Sequence, residues 1–283
     1  MRLVFYLSLA TLLAPSILAS GFTVPPGMLY TKLELRATQA DQSYDNQGNR
    51  LDQIGNDQLI NEMTTDTANL FLAYGITKRF SVSANVQFSD AALDFRFGED
   101  KSNSGVSDIW LDGQYLLYKK RWNLVLNGGV KLPQQDNKPN PPQLSNGESD
   151  THLSLGAGFG AKAWFFEGEV GYRWNTGFVN NVQQGGIAYE DEVVASAKAG
   201  WHITPRFDVE GLLTLERTEA DLQTQDFIPG IYANADEDSL HLSAAYKLGD
   251  KLSLGAGLHR TLDAKNELHT EGYSIFGVYT WSR

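Results

Sequence analysis

The feature that most constrains this chain is a two-residue rhythm. Beyond residue 20, apolar and polar side chains alternate through most of the sequence, the pattern of a β-strand whose two faces meet different surroundings. Phe80, Val82, Ala84, Val86 and Phe88 alternate with Ser81, Ser83, Asn85 and Gln87. Trp122, Leu124, Leu126, Val130 and Leu132 alternate with Asn123, Asn127 and Lys131, and Phe207, Val209, Leu213 and Leu215 with Asp208, Glu210, Thr214 and Glu216. Twelve such segments can be drawn, near 28–40, 66–77, 80–90, 105–118, 122–133, 149–162, 164–176, 190–203, 206–219, 237–248, 251–263 and 271–283. Helical periodicity is almost absent.

The connections between these segments alternate too. Five are tight, among them Thr77-Lys78-Arg79, Lys119-Lys120-Arg121, Lys162-Ala163, Thr204-Pro205-Arg206 and Gly249-Asp250-Lys251. The six between them are long and polar, spanning about 41–65, 91–104, 134–148, 177–189, 220–236 and 264–270. Short turns at one rim and long loops at the other describe an all-β fold: a transmembrane antiparallel up-and-down β-barrel of 12 strands, with short periplasmic turns and long extracellular loops. A soluble sandwich or lipocalin-like barrel also alternates, with its apolar face inward. Ring placement favours the membrane form. Tyr74, Phe80, Tyr118, Trp122, Trp164, Trp201, Phe207, Tyr246, Tyr279 and Trp281 all lie beside the tight turns or the C-terminus, and rings held at one depth are what a lipid–water interface selects.

The N-terminus supplies an export route. Arg2 is followed by an almost uninterrupted apolar run to Leu18 and then by Ala19-Ser20-Gly21, which reads as a secretory signal over 1–20, cut near Ala19 or Ser20, with the barrel at 21–283. There is no cysteine, so lipid acylation, disulfides and thiolate metal sites are excluded. The net charge is −11, or −12 once Arg2 leaves with the signal. Nucleic acid is therefore not a partner, because phosphate binding needs a basic surface.

If the apolar faces meet lipid, the polar faces line the interior. Alternation places Lys32, Glu34, Arg36, Asp108, Asp112, Gln114, Lys131, Asp150, His152, Glu167, Glu169, Arg173, Lys198, Asp208, Glu210, His241 and Lys247 there. The interior is expected to be polar and mixed in sign. The mid-strand charges Glu34, Arg36, Asp112, Lys131, Glu169, Arg173 and Lys198 are the candidates for setting selectivity.

Three passages resemble a known family, the outer-membrane proteins of the phenol-degradation meta-pathway transporter group. Leu72-Ala73-Tyr74-Gly75-Ile76-Thr77-Lys78-Arg79-Phe80-Ser81-Val82 is similar to its YGITDR hairpin. Gly105-Val106-Ser107-Asp108-Ile109-Trp110-Leu111 is similar to its GxGD strand entry, with Val106 where glycine is common, and Gly128-Gly129-Val130-Lys131-Leu132-Pro133 to its GxKLP strand exit. The likeness is strongest over 68–175. It implies an outer-membrane barrel and, loosely, uptake of small, often aromatic compounds. It carries no catalytic or binding residues. The chain ends Trp281-Ser282-Arg283 instead of on an aromatic, yet Tyr273, Ile275, Gly277, Tyr279 and Trp281 keep the alternating row that the barrel assembly machinery would need.

Other motifs read blandly. Gly156-Ala157-Gly158-Phe159-Gly160 lacks the following helix of a nucleotide loop, so its glycines are strand glycines that make room for opposing groups or a bend, as are Gly255 and Gly257. His152, His202, His241 and His259 fall on interior faces and His269 in a loop, without metal-like spacing and without a nucleophile motif. Catalytic residues, metal and cofactor are all read as none. Acids gather in the first and fifth long loops, including Asp41, Asp45, Asp52, Asp57 and Glu62, then Asp221, Asp226, Asp236, Glu237 and Asp238. They suit solvated loops, with cation bridging to lipopolysaccharide as the functional option. The leading expectation is an outer-membrane channel for passive uptake of a small solute; a lipid-acting barrel enzyme and a closed structural or adhesion barrel are the alternatives. Outer-membrane lipid and lipopolysaccharide, the assembly machinery and the solute are the expected partners.

Overall fold

The computed structural model describes residues 21–45, 47–52, 54, 60–96, 99–132, 144, 149–175, 191–218, 236–265 and 267–282. The signal segment, Asp57, Pro133, Asp221, Asp226 and Arg283 lie outside them. The strands are β1 (Met28–Tyr44), β2 (Arg50–Leu51), β3 (Ile60–Gly75), β4 (Phe80–Phe95), β5 (Lys101–Lys119), β6 (Asn123–Leu132) and β7 (Asp150–Gly160). They continue with β8 (Trp164–Asn175), β9 (Glu192–Thr204), β10 (Phe207–Thr218), β11 (Asp236–Lys247), β12 (Leu252–Lys265) and β13 (Leu268–Ser282). Strand β2 is a two-residue ladder on the end of β1. The other twelve pair antiparallel with their sequence neighbours, and β13 closes on β1 from Met28 opposite Ser282 to Ser43 opposite Leu268. The fold is a closed twelve-stranded up-and-down barrel.

Five connections are tight, as expected; four are closed by backbone hydrogen bonds, and at the fifth the Arg206 N–H donates to the Thr204 hydroxyl at 3.2 Å. Ile76 and Thr77 donate to the Phe80 carbonyl at 3.0 Å, Ala161 donates to that of Trp164 at 2.8 Å, and Leu248 to that of Leu252 at 2.9 Å. At the opposite rim the strands run further than alternation suggested. β3 begins at Ile60 and β13 at Leu268, so the supposed sixth long loop is a two-residue connection. His269, expected in a loop, is a correction: it lies on β13, buried, with its Nδ1 3.2 Å from Tyr44 Oη.

The two faces separate as the pattern requires. Leu33, Leu35, Phe88, Leu126, Val170, Leu242, Leu258 and Ile275 point outward and are exposed, while Glu34, Asn85, Asn127, Lys131, Glu169 and Ser274 point inward and are buried. The barrel is inside out relative to a soluble protein because lipid, not a core, receives its apolar surface. Tyr74, Tyr118, Trp122, Trp164, Trp201, Tyr246, Tyr279 and Trp281 are all exposed at the tight-turn end. Phe88 and Trp174 sit exposed toward the long-loop end.

The register contains one informative irregularity. Between Gln87 opposite Asp108 and Phe88 opposite Val106, β5 carries an extra residue, Ser107. A bulge resets the parity of a strand, so Val106 points outward while Ser107 and Asp108 are both buried inside. The Ser107 hydroxyl is fixed by Ser89 Oγ at 3.0 Å and the Gln87 carbonyl at 3.2 Å. The passage resembling a glycine-aspartate strand entry is thus a β-bulge.

The interior is not uniformly polar, which corrects the expectation. At the long-loop end Ala40, Met63, Ala91, Leu93 and Leu268 turn inward and pack with Ile60 and with the loop residues Ile54 and Leu144. Alternation missed this cluster because its apolar residues occupy the parity that is polar lower down the same strands.

A two-residue test follows. Leu126→Arg puts a charge into lipid and should cost about 2–4 kcal/mol near mid-bilayer, whereas Asn127→Lys places one beside the Glu169 carboxylate that Asn127 already contacts at 2.9 Å. Refolding yield on unheated gels should fall for the first and hold for the second; equal yields would contradict the register.

Candidate functional site: a charged belt in the barrel lumen

The candidate site is built by register. Reading across the wall from β1 to β6, Lys32 stands opposite Phe71, Phe71 opposite Asn85, Asn85 opposite Trp110 and Trp110 opposite Lys131. A parallel row runs from Ser83 to Asp112, Gly129, His152, Arg173 and Glu192. Lys32, Phe71, Ser83, Asn85, Trp110, Asp112, His152 and Arg173 from these rows, with Glu34, Asn69, Gln114, Asn127 and Glu169, line a central cavity.

The charges in this belt are mostly satisfied by their strand neighbours. Glu34 is held between Lys32 at 2.6 Å and Arg36 at 3.0 Å along one face of β1. Glu167 and Lys198 stand directly opposite and meet at 3.3 Å. Arg173 pairs with Glu192, its register partner, and lies 3.8 Å from Glu216. Lys131 and Asp150 form a buried ion pair at the ends of β6 and β7. Across Gly129, Asp112 Oδ1 lies 3.5 Å from His152 Nε2. A Cβ at Gly129 would sit 2.0 Å from that Asp112 oxygen, so the glycine is what lets the two side chains meet over the strand between them.

Of the seven candidate residues, Glu34, Asp112, Glu169 and Arg173 line the central cavity. Arg36, Lys131 and Lys198 also face the lumen but are occupied by Glu34, Asp150 and Glu167, outside the cavity wall. Sequence reasoning left out Phe71 and Trp110, since only polar and charged residues were sought on the interior face. Parity could have placed Trp110, which shares the face of Asp112. It could not have placed Phe71, which sits between two other apolar residues, Leu70 and Leu72.

A second element escaped notice. The segment before β1 turns back into the lumen, where Gly21 is buried against Gly158 and Phe22 approaches Gly160. The Gly21 N–H donates to the Glu167 carboxylate. The glycine row on β7 therefore makes room for backbone, while Gly255 and Gly257 make room for the Phe276 ring and the His241 imidazole. Gly27, at φ 72°, supplies the left-handed residue that turns the segment into β1. Among the described residues no group of carboxylates and imidazoles is arranged to hold a metal ion.

The family model "Putative MetA-pathway of phenol degradation" matches residues 11–276. The chain belongs to this family. No curated protein matches. Among solved structures the chain is similar to the COG4313 outer membrane channel from Pseudomonas putida F1, at 15% identity and TM-score 0.73, covering 93% of this chain and 98% of that one. It is also similar to the CymD monoaromatic hydrocarbon channel, at 10% identity and TM-score 0.51, covering 99% and 95%. The KdgM porin matches at 5% identity and TM-score 0.51, covering 88% and 98%. At these identities the likeness shows that all four share the outer-membrane barrel fold.

The Lys131–Asp150 pair predicts a stability effect. Both side chains are almost wholly buried, and removing one partner of a buried pair leaves an uncompensated charge that costs roughly 3–5 kcal/mol. Lys131→Met should lower resistance to unfolding in urea by that order, and the double change with Asp150→Leu should recover most of it. A double variant no more stable than the single one would show that the pair is not the cause.

Proposed function

We propose that the chain is an outer-membrane channel for passive uptake of a small, aromatic solute. The observation that carries this reading is the polar cavity inside a closed wall, with Lys32, Glu34, Asp112, Glu169 and Arg173 converging on Phe71 and Trp110. Charges fixed in a low-dielectric wall set the field in the passage, and the two rings give an apolar face against which an aromatic molecule can rest. Membership of a family described by phenol degradation supports the aromatic choice, as does a shared fold with a structure described as a monoaromatic hydrocarbon channel.

The chemistry is diffusion rather than catalysis. Three of the interior histidines face carboxylates or hydroxyls, His152 toward Asp112, His202 toward Asp208 at 2.7 Å and His259 toward Thr270 at 3.2 Å. All are inside the barrel, away from lipid substrate. The row Tyr273, Ile275, Gly277, Tyr279, Trp281 on β13 is the segment offered to the assembly machinery. Of the acids expected in the long loops, Asp41, Glu62, Asp236, Glu237 and Asp238 stand on strands instead, where alternation ended the strands too early; Asp45 and Asp52 lie outside the strands and are offered to lipopolysaccharide through bridging cations.

Protein reconstituted in planar bilayers and in liposomes tests the reading. Solute flux in liposome swelling is expected, together with a cation-preferring conductance set by the acidic chain. Asp112→Asn combined with Glu169→Gln should shift the reversal potential toward zero selectivity, while neutralising loop acids should matter less because salt screens exposed charges over about 8–10 Å. Folded protein that gives no conductance and no flux overturns the channel.

A further inference from the structure

The central cavity presents hydrogen-bond donors that its own acceptors do not use. The Trp110 indole Nε1–H and the Arg173 Nε and Nη2 groups have no hydrogen-bond partner among the described residues, and both side chains are buried. Arg173 Nη2 lies 3.8 Å from Glu216, beyond hydrogen-bond reach, and only Nη1 is engaged, by Glu192. The two donors are neighbours, with the guanidinium carbon 5.7 Å from the centre of the Trp110 ring.

The acids of the same wall are engaged. Glu169 Oε1 accepts from Asn127 Nδ2 at 2.9 Å and from the Ser154 hydroxyl. Glu34 is held by Lys32 and Arg36, and Asp112 by Ser83 and His152. The Asn69, Asn85 and Asn127 Oδ1 atoms and the His152 Nδ1 also lack partners, but an amide end can present either its oxygen or its NH2 and an imidazole nitrogen is donor or acceptor by tautomer, so these groups do not fix a polarity. What remains fixed is donor surplus. Buried N–H groups left unmade are costly, so a site that keeps them is built for an acceptor.

The sign of the surroundings selects which acceptor. Glu34, Asp112 and Glu169 outnumber Lys32 and Arg173 in the lining, which disfavours a carboxylate. A bare hydrocarbon ring would leave both donors unmade. We infer that the cavity is a recognition site for an uncharged aromatic molecule carrying a carbonyl oxygen, an aryl ketone or aldehyde. Arg173 and Trp110 Nε1 take the oxygen and Phe71 takes the ring. The inference rests on the channel reading and names the substrate class for it.

Fluorine NMR of the full-length protein in detergent tests it, with empty micelles as the control. 4-Fluoroacetophenone should bind saturably, with 1-ethyl-4-fluorobenzene and 4-fluorobenzoate each at least several-fold weaker. Trp110→Phe keeps a ring and loses the N–H. It should weaken the ketone by about tenfold, the worth of one buried hydrogen bond, and leave the hydrocarbon unchanged. Arg173→Gln should act in the same direction; because Arg173 is also an ion-pair partner, the Trp110 variant is the deciding one. Equal binding of ketone and hydrocarbon, tighter binding of the benzoate, or an unaffected Trp110→Phe would each overturn the assignment. Flux in vesicles separates the two claims. Selective binding without flux defeats the channel and leaves the site, whereas flux without selective binding defeats the site alone.

Discussion

Everything in this structure depends on the absence of water at the lipid-facing wall. A backbone N–H or carbonyl in hydrocarbon has no solvent partner, and each one left unpaired costs several kcal/mol. Helices solve the problem segment by segment; a sheet solves it only by closing. The ladder between β1 and β13 is therefore the seam on which the rest relies. It also explains why a chain with a mildly polar mean hydropathy of −0.31 can live in a membrane. Only every second side chain has to be apolar, and the others are free to be charged.

That freedom has its own condition. Charges facing inward are stable against water or against one another, and here many pairs are formed between residues directly opposite on adjacent strands. Glu167 with Lys198, Arg173 with Glu192 and His202 with Asp208 are all register partners. The strand pairing that satisfies the backbone thus also settles most of the interior electrostatics. The groups left over stand out by contrast, and in the central cavity they include the donors of Trp110 and Arg173.

Period-two alternation made the strands, their faces and the tight turns legible, because lipid on one side and a lumen on the other impose different chemistry on neighbouring residues. It failed where that contrast fades. Leu70, Phe71 and Leu72 are apolar in succession, so type could not tell which side chain faces inward. At Ser107 the bulge adds a residue and shifts the parity of Val106, which no count of two can anticipate. The inward seat of Gly21 against Gly158 depends on a contact between segments more than a hundred residues apart, and local pattern carries no trace of it. Of the mid-strand charges, parity placed all seven in the lumen. Which of them reach the cavity was decided by partners, because Arg36, Lys131 and Lys198 are already occupied.

The apolar cluster of Ala40, Met63, Ala91, Leu93 and Leu268 lies on the strands β1, β3, β4 and β13, and Phe71 continues that greasy side lower down β3. Arg173 and Glu169 stand on β8, across the lumen from it. The passage is thus two-toned toward its long-loop end, apolar on the side of β1, β3, β4 and β13 and charged where Arg173 meets Glu192 and Glu216, and mixed at mid-height, where Lys32 and Glu34 stand beside Phe71. A traveller with one oily end and one polar end would be turned to match before it reached mid-height. In the proposed channel such a lumen sorts molecules by the arrangement of their polarity as well as by width, and two isomers of equal size and overall polarity would cross at different speeds.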